Sequence, residues 1–167
     1  MMIGIGRITT VYDEVEDRVS LTGAGQSGEV YRGWLTRRLF DLLLEQLFVL
    51  LGPPDADGYA QIKNEFAQEQ AEASLSPQKP VTSSPDGVDL GPFLIIAIDI
   101  SEQDGIFRLS FRHAPSDGII IPFSHQDLRQ WLSIARRAYQ KAQWPMQGWP
   151  KWMTPPESSG TKQALLH

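Results

Sequence analysis

Ten of the thirteen residues from 39 to 51 are apolar, with only Asp41, Glu45 and Gln46 between them. A run of this length without glycine or proline reads as a helix rather than a strand. Its apolar side chains cover most of the helix circumference, so it must be covered on several sides. Upstream, Val30, Tyr31, Trp34, Leu35 and Leu39 alternate with Arg32, Arg37 and Arg38 in an amphipathic pattern. The expected helix therefore spans residues 29–51, roughly 33 Å, and stops at Gly52-Pro53-Pro54. In a chain of 167 residues, one sheet and one further helix cover two of its sides. What remains is an expected apolar contact, with Leu43, Leu44, Leu47, Phe48 and Leu51 as the residues that meet a second copy.

The rest of the chain reads as strands and helices in separate runs. Residues 3–11 and 18–22 form an expected hairpin around the acidic turn Asp13-Glu14-Val15-Glu16-Asp17. Residues 57–75 form a second, more polar helix with Tyr59, Ile62, Phe66 and Ala73 as its thin apolar stripe. Residues 76–92 carry Pro77, Pro80, Pro85 and Pro92 among serines and read as a mobile loop. Residues 93–100 are nearly continuously apolar, as a central strand requires. Asp104-Gly105 turns the chain into 106–113, where Phe107, Leu109 and Phe111 alternate with Arg108, Ser110 and Arg112. Pro115-Ser116-Asp117-Gly118 leads into 119–123, completing a three-stranded antiparallel meander. Ser124 and Asp127 open a last helix to residue 143, with Leu128, Trp131, Leu132, Ala135 and Tyr139 as its buried stripe. The expected fold is α+β: an antiparallel sheet of about five strands, an inserted helical pair and a C-terminal helix. Residues 1–143 make one domain, and 144–167 a tail rich in Trp and Pro, its last dozen residues disordered.

Charge and composition narrow the function. The chain carries 15 Lys and Arg against 20 Asp and Glu, a net charge of −5. An acidic protein of this kind is disfavoured for nonspecific binding to nucleic acid or anionic membranes. Residues 1–90 hold 7 basic against 14 acidic side chains, and residues 91–167 hold 8 against 6. Arg108, Arg112, Arg129, Arg136 and Arg137 could thus form a basic face beside Trp131, which keeps nucleic-acid association as an alternative. There is no cysteine, which excludes disulfides, thiolate zinc sites and thiol catalysis. No signal-peptide h-region and no membrane span is present, so a cytoplasmic protein of bacterial type is expected.

Gly23-Ala24-Gly25-Gln26-Ser27-Gly28 spells G-x-G-x-x-G, the pattern of a dinucleotide-binding turn. Its flanks do not match the mechanics of that turn. The strand before it alternates Val19 and Leu21 with polar residues, whereas a parallel strand buried on both faces is continuously apolar. About 20 residues on, where a second strand should end in a ribose-binding acid, the expected helix is still running. The bland reading is a flexible strand-to-helix turn with Ser27 as N-cap. Gly23, Gly25 and Gly28 remain weak candidates for phosphate or nucleotide binding, and no cofactor is assigned.

Other candidate chemistry is sparse. The acids at 13–17 lack the spaced oxygens and glycine of a calcium loop. His113, His125 and His167 show no ligand spacing on one element, and no serine sits in a nucleophile elbow. Asp99 lies between Ile98 and Ile100; buried, it would be a site, while at a strand end it would face solvent or pair with Arg108. Trp144, Trp149 and Trp152 lie among prolines, and tryptophan is costly when exposed. Trp149 and Trp152 are therefore expected to anchor the tail, on its own domain or on a partner.

The order of elements over residues 1–143 is similar to the head domain of eukaryotic DNA end-joining scaffold proteins. Those heads are β structures bearing a helix–turn–helix that dimerise and bind partner proteins. The long stalk that follows such heads has no counterpart here, since Trp144 and Pro145 end the last helix. Residues 28–39, Gly-Glu-Val-Tyr-Arg-Gly-Trp-Leu-Thr-Arg-Arg-Leu, also resemble helices of small uncharacterised bacterial proteins. Together these readings point to a non-enzymatic module for homodimerisation and protein binding.

Overall fold

The computed structural model describes residues 1–52, 57–83 and 85–154. Seven strands and three helices follow in the order β1 (Met2–Asp13), β2 (Arg18–Gly25), β3 (Val30–Leu35), α1 (Arg37–Leu51), α2 (Gly58–Ala73), β4 (Asp89–Leu94), β5 (Ala97–Gln103), β6 (Ile106–Ala114), β7 (Asp117–Phe123) and α3 (His125–Ala142). The strands form one mixed sheet in the order β4-β3-β2-β1-β7-β6-β5. This corrects the expected five-stranded antiparallel sheet. The N-terminal hairpin and the C-terminal meander are both present, but β1 runs parallel to β7 and β3 parallel to β4.

Two segments, expected in a helix and in a loop, supply the additional strands β3 and β4. Residues 30–35 are extended, not helical. Val30, Tyr31, Trp34 and Leu35 are β-branched, aromatic or apolar, and β3 pairs along its length with β2. The helix begins only at Thr36, whose Oγ1 accepts a hydrogen bond from the Leu39 N–H at 3.3 Å. Residues 89–92, expected in a loop, begin β4. That strand is an edge, where Pro92 forfeits no interior ladder bond.

The apolar run 93–100 is not one strand but two around a corner. The Ile95 N–H donates to Trp34 O at 2.9 Å, and the next residue, Ile96, donates to Arg112 O at 2.8 Å. In one step the chain leaves β3 and joins β6, so the two ends of the sheet meet. β1 makes the second corner. Its Met2–Gly4 stretch pairs with β7, and from Ile5 onward it pairs with β2, with a register shift between Ile5 and Arg7. Strands that change partner at a bend or bulge are how two half-sheets join at corners.

One core fills the space between the half-sheets and the helices. α1 contributes Phe40, Leu43, Leu44, Leu47, Phe48 and Leu51 at helical spacing. α3 contributes Leu128, Trp131, Leu132, Ala135 and Tyr139. The strands add Val19, Leu21, Leu35, Phe107, Leu109, Phe111 and Ile119, all essentially without solvent contact. Trp144, Trp152 and Met153 belong to this same core. Residues 144–154 therefore pack onto the domain, and residues 155–167, the segment expected to be disordered, lie outside the described residues.

The tightest point of the meander is Gly118, where any Cβ would collide with the Phe111 carbonyl oxygen across the β6–β7 pair. Gly118→Ala is expected to destabilise by at least about 2 kcal/mol. Gly6→Ala, at a position with open space around it, should change stability by about 0.5 kcal/mol or less. Urea denaturation of both variants checks the contrast.

Candidate functional site

α2 is mounted with its polar side inward. Asp57 caps it, its Oδ1 accepting from the Ala60 N–H at 2.8 Å. The face against α3 carries Asn64, Gln68, Ala71 and Glu72. The Gln68 side-chain amide donates to Arg129 O at 2.9 Å, and Gln130 donates to Ala71 O at 3.0 Å. Arg129 donates to Asn64 Oδ1 at 2.7 Å, and Arg136 pairs with Glu72 at 3.1 Å. The Arg129 guanidinium also lies 5.1 Å from the Trp152 ring. Burial of that guanidinium lowers its pKa from the ordinary arginine range.

The apolar stripe of α2 faces the other way. Tyr59, Ile62 and Phe66 are 76%, 66% and 61% exposed. At about 100° per residue, the three fall within about 60° of one another and roughly opposite Asn64, Gln68 and Ala71. Lys63, Glu65 and Glu69 flank them. The outer side of α1 adds the half-exposed Leu42, Val49 and Leu50. Val49 of α1 and Gln61 of α2 line one 440 Å³ cleft with Trp149 and Trp152 of the tail, but Gln61 falls on the Gln68 side of α2, away from the stripe. Large side chains this exposed on one helix face are apolar surface left without cover by the described residues.

The residues expected to make an apolar contact sit elsewhere. Leu43, Leu44, Leu47, Phe48 and Leu51 are buried within the domain. Trp149 and Trp152 pack on Phe48, with ring centroids 5.1 and 5.9 Å away, and Trp144 packs edge-on against Tyr139. The tail thus covers the end of α1 from its own chain. The residues that the stripe argument missed are on α1 as well: Leu42, Val49 and Leu50 share the apolar run but point outward.

The glycine motif lies in the β2–β3 hairpin, not between a strand and a helix. The Gly25 N–H donates to Glu29 O at 2.9 Å across the turn. Gly28 has φ +88°, the left-handed region that favours glycine. A side chain at Gly25 would press on that of Glu29, its Cβ 2.7 Å from the carboxyl carbon. No helix N-terminus follows the turn to receive a phosphate, because β3 begins at Val30.

The remaining candidates are tied into the fold. Asp99 is exposed and pairs with Arg112, not Arg108, at 2.7 Å. Arg129 and Arg136 bond α2 as described, so only Arg108 and Arg137 of the five C-terminal arginines are both exposed and outside any ion pair among the described residues. His113 stacks on Phe93 at 3.9 Å and shares a 3.0 Å hydrogen bond with the Tyr31 hydroxyl. His125 lies edge-on to Phe107. Among the described residues, no three His, Cys, Asp or Glu side chains converge as a metal site. No helix among them is long and apolar enough to cross a membrane.

No protein family, curated protein or solved structure matches the chain.

Two expected outcomes follow from the docked tail and the buried phenols. Trp152→Ala should cost about 3 kcal/mol, and a chain ending at Gln143 should also lose stability, both read by chemical denaturation. Burial raises the Tyr31 pKa to about 12. A phenol held neutral in the fold contributes stability that is complete below about pH 10 and is lost as the pH rises through about 12. Stability measured between about pH 9 and about pH 12 should fall, and Tyr31→Phe should remove part of that fall.

Proposed function

We propose that the protein is a non-enzymatic, cytoplasmic association module that forms a homodimer through the outer faces of α2 and α1 and presents the paired domains to a protein partner. The observation that carries this reading is the orientation of α2. Its polar residues are consumed against α3, and Tyr59, Ile62 and Phe66 are held outward. A helix with these residues would ordinarily turn its apolar stripe inward. Holding it outward costs hydrophobic stabilisation of about 25 cal/mol per Å² until another surface covers it.

A second copy of the chain brings the same stripe to meet this one. Stable pairs bury upwards of about 1,200 Å² in total, and Tyr59, Ile62 and Phe66 are the exposed large side chains of α2 that supply apolar area to such a contact. Such a contact is isologous, with the same patch on both copies, and closes without forming a filament.

Light scattering on the size-exclusion peak tests the proposal. The expected mass is that of a dimer, and the Ile62→Ser, Phe66→Ser double variant should run as a monomer. Its urea midpoint in the monomeric state should stay within the range of ordinary surface substitutions, about 0.5 kcal/mol. A monomeric parent protein at high concentration overturns the dimer, and a dimer that survives the double substitution moves the interface off α2.

A further inference from the structure

A second surface, separate from α2, lies where β1 leaves β7. β1 pairs with β2 from Ile5 to Asp13, but with β7 only over Met2–Gly4. Past Gly4 the two half-sheets diverge. Along residues 6–10, the side of β1 away from β2 has no strand beside it among the described residues. A groove of 420 Å³ runs along that free edge. Phe123 of β7, Trp131 and Ile134 of α3, and the segment from Leu75 to Pro80 line it together with β1.

That segment crosses the edge without completing it. Pro77 and Pro80 have no N–H to offer. Among the described residues, its continuation reaches β1 by one hydrogen bond to a side chain, from the Val81 N–H to Thr9 Oγ1 at 2.8 Å. Among the described residues, no main-chain hydrogen bond joins that segment to residues 6–10 of the edge.

The charge around the groove is selective. Arg7 from β1, Lys79 from the crossing segment and Arg137 from α3 all line it, and Asp127 is the one acid there. None of these three cations is in an ion pair among the described residues. In a chain of net charge −5, three cations from three separate elements against one acid around one groove run against the overall charge.

From this juxtaposition we infer that the groove binds an extended acidic peptide segment, which adds as a strand to the free edge of β1. An added strand takes main-chain hydrogen bonds from the edge and sends alternate side chains to opposite faces. One set of side chains enters the groove beside Trp131 and Ile134, and acidic groups meet Arg7, Lys79 and Arg137. Charge complementarity decides the sign of the partner, and the strand edge decides its extended form.

The probe is a fluorescein-labelled peptide of alternating glutamate and valine, titrated with the full chain and followed by anisotropy. The expected result is saturable binding that weakens with salt and falls roughly tenfold or more in the Arg7→Glu, Arg137→Glu double variant. Both positions are exposed, and an unchanged circular dichroism spectrum confirms that this variant is folded. A lysine–valine peptide should not bind. Two further peptides, N-methylated at the odd or the even residues, should differ, since only one set of amides faces β1 in an added strand. Absence of binding, equal binding of the basic peptide, or equal binding of both methylated peptides overturns the inference. Displacement of the acidic peptide by inorganic phosphate at comparable concentration overturns it too, in favour of a small-anion site.

Discussion

The packing of Trp131 is the constraint on which the rest of the domain depends. Its ring lies 5.7 Å from Phe40 of α1, 5.7 Å from Phe123 of β7 and 6.5 Å from Phe111 of β6. Its indole N–H donates to Thr10 Oγ1 on β1 at 2.9 Å. One side chain of α3 therefore packs against both half-sheets and against α1. A buried indole needs a partner for its single donor, and Thr10 supplies it from the strand that makes one corner. The position of α3 is set by this bond together with aromatic contacts, and the position of α2 is set in turn by α3.

That chain of dependence explains why α2 is mounted as it is. α3 spends its apolar stripe on the core, so the side it offers α2 carries Arg129, Gln130 and Arg136. Only the polar face of α2 matches it. Arg129 lies under Trp152, and its hydrogen bonds to Asn64 satisfy the buried guanidinium. A charged group at this depth requires such partners. The apolar stripe of α2 is left outside as a consequence of how α3 divides its residues.

Much of the architecture was legible locally. The meander declares itself in the alternation of Phe107, Leu109 and Phe111 with Arg108, Ser110 and Arg112, and in the Asp104-Gly105 turn. α3 is marked by Ser124 and by its apolar period. Residues 30–35 are ambiguous locally, because Val30, Tyr31, Trp34 and Leu35 fit a helical stripe and a strand about equally over so short a span. Gly33 and the capping hydroxyl of Thr36 were the local signals for a strand that ends where the helix starts. The run 93–100 carries no mark of a corner, since Ile95 and Ile96 are as apolar as their neighbours. The corner exists because one of them bonds to Trp34 and the next to Arg112, residues that are distant in sequence.

The candidate surface divides along the same line. The sequence by itself determined that residues 57–75 form a helix, that Tyr59, Ile62 and Phe66 lie on one side of it, and that residues 39–51 hold more apolar surface than one face can bury. Periodicity and capping are local properties, so the chain alone is enough for these. Only the tertiary structure decided which sides point inward. Burial depends on what stands opposite, and Arg129 and Trp152, which come from outside the helical pair, hold the polar side of α2 against α3. The free edge of β1 is decided in the same way. A strand reads the same with one neighbour or two, and the divergence of β7 after Gly4 follows from packing both half-sheets around a single core.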